Sequence, residues 1–321
     1  MPDSIRRQLA QGLARRSEGY RGRFAPSPTG PLHRGNLRTA LLSWLQARRH
    51  RGEWLLRFDD LDTPRNRAGS EALILEDLRW LGLSWDGPLI RQSERRGLYN
   101  GVLSALRRSG ALYPCRCSRR MLADISAPHG APPVYPGHCR GVPPQWGPIA
   151  GRLPSWRLRL EPASLRWTDR DGRPERRDAA LDVGDLVLRR ADGFVAYHLA
   201  TAVDDLTLGI SEVVRGEDLR ESTAAQVAVM ATLAASPPDY LHVPLWRDAA
   251  GQRLSKRDGA EGLAGYRQRG LDAAGVIGEL AASLDLVPPG TRLSAAELAA
   301  GVEGASLDRA LGSVPPPLPQ I

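Results

Sequence analysis

Lysine is almost missing from this chain of 321 residues: of 44 basic side chains, 43 are arginine and one, Lys256, is lysine. The two residue types serve alike as solvated surface charge, so the skew itself reads as compositional drift. A drift that spared one position marks that position, because a compact ammonium on a flexible stem differs from a planar guanidinium where shape matters. Cysteine is also scarce, with three residues, an odd number that argues against a disulfide framework. No run of about 18 apolar residues occurs, which leaves a membrane-spanning helix without support. The N-terminal MPDSIRRQLAQGLARR lacks the apolar stretch of a signal peptide. These absences read as a cytoplasmic, reduced protein with no membrane partner. No internal repeat is visible.

What is present is a globular composition, 42% hydrophobic and 25% charged, which excludes wholesale disorder. The length suffices for a sizeable core and suggests roughly two domains. A net charge of +8 fits an anionic partner, nucleic acid first.

Residues 1–20 read as a basic, poorly ordered arm, with contact to RNA as the second reading. Tyr20–Ala25 reads as a strand broken by Pro26, Pro28, Gly30 and Pro31. Over Asn36–Arg48, the residues Leu37, Ala40, Leu41, Trp44 and Leu45 fall on one helical face. Glu53–Phe58 reads as a second strand, and Ser70–Leu81 and Glu94–Arg107 as amphipathic helices. Strand, helix, strand, helix predicts a parallel α/β sheet, divided here into 21–110 and, after an interruption, 191–260. In the interruption, 111–190, proline and glycine become dense, the cysteines cluster, and Ser155–Leu160 alternates like an antiparallel strand, so an α+β insertion is expected. Residues 261–321 are Ala- and Leu-rich with glycine breaks and read as a small helical region, whose final VPPPLPQI cannot continue a helix.

Arg21–Leu37 (RGRFAPSPTGPLHRGNL) reads as strand, Pro/Gly loop and helix start, a geometry that offers free backbone N–H groups and the positive helix end to an anion. His33 and Gly35 sit at the helix entrance, where the glycine admits a flat base or a phosphate and the imidazole can donate to developing phosphate charge. Far along the chain, Gly251–Gly259 (GQRLSKRDG) places the single lysine beside Ser255 in a glycine-flanked loop, suited to meeting a triphosphate. An ordinary exposed basic loop would be the default for a random lysine.

The two segments resemble the HIGH and KMSKS signatures of class I aminoacyl-tRNA synthetases, carried here by His33-Arg34-Gly35-Asn36 and Arg253-Leu254-Ser255-Lys256-Arg257. RFAPSPTGPLH, LRFDDLDTPR, RQSERR, DGFVAYHLATAVDD and SEVVRGEDLRESTAAQ are similar, in order, to segments of the glutamyl branch. Bacterial glutamyl-tRNA synthetases carry a long helical anticodon-binding region past the second signature. The layout here resembles instead the truncated, zinc-containing glutamyl-queuosine tRNA(Asp) synthetases, and the expectation is a Rossmann-like catalytic domain without that region. The resemblance implies ATP-dependent, tRNA-independent activation of L-glutamate and its transfer to the queuosine base at the wobble position of tRNA(Asp).

By the same resemblance, His33 and Lys256 are the catalytic pair, and Gly35, Asn36 and Ser255 join them on ATP, which brings Mg2+. Arg23, Phe24, Ala25, Pro26, Ser27, Asp59, Tyr197 and Arg215 match glutamate-binding positions. A guanidinium fork suits the side-chain carboxylate, and Asp59 stands where the family usually has Glu for the α-ammonium. Arg34 stands where the first signature normally has an apolar or aromatic residue.

Cys115 and Cys117 form a C-x-C pair and Cys139 follows 22 residues later, three soft ligands toward a structural zinc that wants four. Chemistry alone nominates His138 or His129 as the fourth; the zinc-bearing relatives use a tyrosine four residues before the last cysteine, which implies Tyr135. A monomer is expected. The competing readings are a truncated glutamyl-tRNA synthetase charging the tRNA 3' end, a non-catalytic RNA-binding relative, and a nucleotidyltransferase acting on a small metabolite. The retained His33, Gly35, Ser255 and Lys256 speak against the second, and the Arg23, Tyr197, Arg215 set against the third.

Overall fold

The computed structural model of the protein describes residues 1–118, 121–122, 134–169, 174–244 and 262–312; His129, Ser255 and Lys256 lie outside the described residues. In chain order come helix α1 (Asp3–Glu18), strand β1 (Arg21–Phe24), α2 (Arg34–Arg49), β2 (Glu53–Phe58), α3 (Ser70–Trp80), β3 (Ile90–Arg91) and α4 (Arg96–Arg108). Five strands follow: β4 (Leu112–Cys115), β5 (Ser155–Leu158), β6 (Ser164–Thr168), β7 (Pro174–Asp178) and β8 (Leu186–Arg189). Then come α5 (Tyr197–Thr207), β9 (Glu212–Gly216), α6 (Arg220–Thr232) and β10 (Asp239–Val243). Helices α7 (Leu263–Gln268), α8 (Ala273–Ala282), α9 (Ala295–Gly301) and α10 (Gly304–Gly312) close the described chain.

β1, β2 and β3 pair in parallel, as do β9 and β10. The two groups meet where Ser211 N–H donates to the Arg21 carbonyl at 2.9 Å, which sets β9 beside β1 and gives the order β3-β2-β1-β9-β10. Chain direction across the sheet reverses between β1 and β9, the place where open parallel sheets bind ligands beyond the strands' carboxyl ends.

Alternating strand residues face two cores, as a sheet covered on both sides requires. Phe24, Trp54, Leu56 and Phe58 join α2 on one face; Leu55, Val213 and Tyr240 join α4, α5 and α6 on the other. Helices α8 to α10 form the expected small helical region, and Val276, Ile277, Leu280, Leu298 and Leu307 of it share the core of α2. The structure also corrects the reading of residues 1–20 as a poorly ordered arm. Ile5 and Leu9 of α1 are buried, and Gly12 lies so close to α5 that a Cβ there would run into the Leu206 carbonyl. The α/β class with an interrupted parallel sheet stands as expected: β4-β5-β8 form an antiparallel sheet and β6-β7 an antiparallel pair. Asp169, just past β6, reaches back to bridge Tyr240 of β10. No helix among the described residues is long and apolar enough to cross a membrane.

Candidate active site

A cavity of about 350 Å³ opens at the carboxyl ends of β1 and β9. Its wall brings together Arg23, Phe24, Ala25, Pro26, Ser27, His33, Gly35, Asn36, Asp59, Tyr197 and Arg215, every described residue that the sequence singled out for glutamate or ATP. The cysteine cluster stands apart from this wall.

The end at α2 is shaped by a reciprocal cap. His33 Nδ1 accepts the Asn36 N–H and Asn36 Oδ1 accepts the His33 N–H, both at 3.3 Å. An acceptor at Nδ1 means a neutral ring carries its proton on Nε2. Gly35 leaves room for the imidazole, since a Cβ would stand 3.1 Å from His33 Cε1 and press the ring aside. The backbone of His33 pairs with Gly262, and Arg38 donates to the Pro244 carbonyl at 2.7 Å. Both described flanks of the segment that carries Ser255 and Lys256 are therefore fastened to the first turns of α2. Arg34 stacks its guanidinium 4.9 Å above the Tyr266 ring of α7, so the unusual charge in the first signature is housed as a cation–π contact. Arg38, a cavity residue that the sequence did not flag, is 2% exposed, and burial pushes its guanidinium down to about 10.

The opposite end is a buried charge lattice. Arg57 bonds Asp59 Oδ1 at 2.7 Å and Asp205 Oδ1 at 2.8 Å, and Arg23 approaches the same Asp205 oxygen at 3.4 Å. Asp204 takes Arg95 at 2.7 Å together with Gln92 and the Tyr99 hydroxyl at 2.9 Å. Burial alone would lower the Arg57 pKa, but Asp59, Asp205 and Asp204 raise it well above its ordinary value. Asp205 runs the other way: burial raises it and the arginines Arg23 and Arg57 pull it below the usual carboxylate range. Asp59 is raised, burial outweighing Arg57. Sequence reasoning missed Arg57, Asp204 and Asp205. The available signal was an arginine inside an apolar strand and paired acids inside an apolar helix, where a charge survives only with partners.

Arg215 differs from every other arginine in this lattice. It is 4% exposed and donates to His242 Nε2 (3.2 Å), Gln226 Oε1 (2.8 Å) and Thr223 Oγ1 (2.7 Å), all neutral oxygens or nitrogens, with no carboxylate partner among the described residues. Its charge acts on Asp205 without contact and its guanidinium lies 5.1 Å over the Tyr240 ring, so an anionic ligand in the cavity would supply the direct partner that a buried cation favours. Tyr197, the first residue of α5, stands exposed at the rim.

In the insertion the sulfurs of Cys115, Cys117 and Cys139 lie within 4.8 Å of one another, Cys117 and Cys139 at 3.7 Å. The Tyr135 hydroxyl sits 3.4 Å from both Cys115 and Cys117. A tetrahedral ion with metal–sulfur bonds near 2.3 Å holds its sulfurs about 3.8 Å apart, so this donor set fits one. Burial raises the Cys115 thiol, but its hydrogen bonds with Tyr135 and Arg157 outweigh it and bring the group to about 7, whereas burial and the neighbouring sulfurs push Cys117 up to about 11. His138 meets the edge of the Tyr135 ring at 6.2 Å and is not part of the sulfur cluster.

Comparison with known proteins places these features in company. The description "tRNA synthetases class I (E and Q), catalytic domain" matches residues 20–274. A glutamyl-Q tRNA(Asp) synthetase of Prochlorococcus marinus (strain MIT 9303) is 57% identical over 298 residues, 93% of this chain and 92% of the relative. The enzyme of the same name from Chromobacterium violaceum is 46% identical over 84% of this chain and 88% of its own. Among solved structures, a glutamate tRNA ligase from Elizabethkingia meningosepticum in complex with its amino acid superposes with a TM-score of 0.73 at 27% identity. That match covers 91% of this chain but only 65% of the ligase.

Proposed function

This chain belongs to the class I synthetases for E and Q, in their glutamyl-Q tRNA(Asp) branch, and we propose that it activates L-glutamate with ATP and transfers it to queuosine in tRNA(Asp). The observation that carries the reading is Arg215, a buried guanidinium without a carboxylate partner among the described residues, facing a cavity that ends at the start of α2. One end suits a carboxylate and the other suits phosphate, which are the two anions that glutamate activation must bring together.

Arg215 and Arg23 then hold the side-chain carboxylate, with Tyr197 closing over it, while Asp59 takes the α-ammonium. Asp59 is already engaged by Arg57, so an arriving ammonium shares that carboxylate rather than finding it open. The α-carboxylate attacks the α-phosphate and pyrophosphate leaves. His33, with Nε2–H as donor, Gly35, Asn36, Ser255 and Lys256 serve the phosphates, and catalysis rests on positioning and charge stabilisation. Mg2+ enters with the nucleotide. The acceptor is the queuosine base of the wobble nucleotide, and the reaction belongs in the cytoplasm.

Zinc fits the insertion, held by Cys115, Cys117, Cys139 and Tyr135. A structural ion there would tie β4 to the turn around Cys139 and supply no chemistry to the cavity.

Glutamate-dependent exchange of pyrophosphate into ATP, measured without any tRNA, tests the activation step. Exchange supports the reading; none at saturating substrates overturns it.

A further inference from the structure

Arg215 is held by a chain of groups that begins in the insertion. The Asp169 carboxylate accepts from His242 Nδ1 at 2.8 Å, and His242 Nε2 accepts from Arg215 Nε at 3.2 Å, with the Thr223 hydroxyl 3.1 Å from the same ring nitrogen. All four side chains are at most 4% exposed. The network fixes the tautomer: a carboxylate on Nδ1 demands the proton there, which leaves Nε2 as a lone-pair acceptor aimed at the guanidinium. Burial lowers the His242 pKa, the hydrogen bond to Asp169 opposes it and the Arg215 charge adds to the lowering. Arg220 approaches the same Asp169 oxygen, Oδ2, at 3.4 Å.

A guanidinium has five N–H groups, and His242, Gln226 and Thr223 engage three of Arg215's. Two remain, enough for one carboxylate held bidentately. An acid in direct contact with Arg215 would hold the side chain as firmly, but it would cancel the charge that recognises the ligand. Here the acid stands one imidazole away. Resting on the glutamate reading above, we infer that Asp169 and His242 are positioning residues for substrate: they aim the open edge of Arg215 into the cavity while leaving its charge for glutamate. The β6–β7 pair thus has a second task, since Asp169 follows β6 and is pinned by its bridge to Tyr240. Part of the amino-acid site is built by the insertion.

Three variants separate aiming from mere packing. In His242→Asn the side-chain N–H can still reach Asp169, but no acceptor faces Arg215. In His242→Gln the carbonyl reaches the place of Nε2 and keeps that acceptor. In Asp169→Asn the ring can turn its other tautomer, with a proton, toward Arg215. Pyrophosphate exchange on the full chain should show the glutamate KM raised about tenfold or more in His242→Asn and Asp169→Asn. The ATP KM should stay within about twofold, and His242→Gln should recover most of the loss. If the wild type exchanges but the glutamate KM of His242→Asn and Asp169→Asn is unchanged, the inference is wrong. It is equally wrong if both KM values rise together with a fallen melting temperature, which is the mark of a packing role. A wild type without exchange overturns the glutamate reading on which the inference rests.

Discussion

Arg57 and Asp205 meet at 2.8 Å with neither side chain exposed to solvent. Asp205 Oδ1 also faces Arg23, while its Oδ2 has no hydrogen-bond partner among the described residues. One carboxylate oxygen therefore serves two arginines, one of them in the cavity wall. Removing this carboxylate leaves Arg57 its contacts with Asp59 and Asp204 but takes from Arg23 the one carboxylate it meets among the described residues, and a buried charge deprived of its partner is costly.

Asp205→Asn should accordingly destabilise the fold by about 3–5 kcal/mol, read as a fall in denaturation midpoint, and should weaken glutamate binding through Arg23. A variant within about 1 kcal/mol of wild type would mean that the lattice is solvated or rearranged.

Lys256→Arg keeps the charge and changes its shape. Glutamate activation should fall by about a hundredfold or more while the melting temperature stays put. Near-normal exchange would make the single lysine an accident of composition.

Much of this site was legible in the sequence because it sits on short contiguous motifs. His33, Gly35 and Asn36 sit at a loop-to-helix turn whose residue types suit an anion, while the RFAPS loop and Arg215 were singled out only through the resemblance, and all of them lie in the cavity wall. What was not legible depends on pairing between distant segments. Asp169 lies 73 residues from His242, and Arg57 lies 148 from Asp205; no local pattern announces either contact. Helix α1 was misread for a related reason. Its two buried apolar residues, Ile5 and Leu9, are too few to mark an amphipathic face, and its seat depends on a glycine–carbonyl approach to Leu206. The elements that were read well, such as Glu53–Phe58, place apolar residues on both faces, with Trp54, Leu55, Leu56 and Phe58 all buried, as a sheet covered on both sides requires.

Elemental analysis should find about one zinc per chain, falling to near zero in Cys117→Ser. Chelation should lower the melting temperature and leave the KM for glutamate unchanged, because the sulfur cluster stands apart from the cavity. A metal-free protein of full stability would remove zinc from the account.

Burial, reinforced by Arg215, pushes His198 down to about 4, and its Nδ1 has no hydrogen-bond partner among the described residues. Unfolding restores the ordinary value near 6.5, so the unfolded chain binds the extra proton between these limits. Stability is unaffected by this group above about pH 6.5 and falls as pH drops toward about 4, by at most about 3 kcal/mol. His198→Gln should flatten that acid limb in denaturant titrations at stepped pH. An unchanged limb would show that other groups govern it.

The acceptor separates transfer to queuosine from charging of a tRNA 3' end. Purified enzyme, ATP and radiolabelled glutamate should be incubated in parallel with tRNA(Asp) containing queuosine, the same tRNA lacking it, and tRNA(Glu). Label is expected on the queuosine-bearing tRNA(Asp) alone. Label on the 3' end of tRNA(Glu), with none on tRNA(Asp), would contradict it.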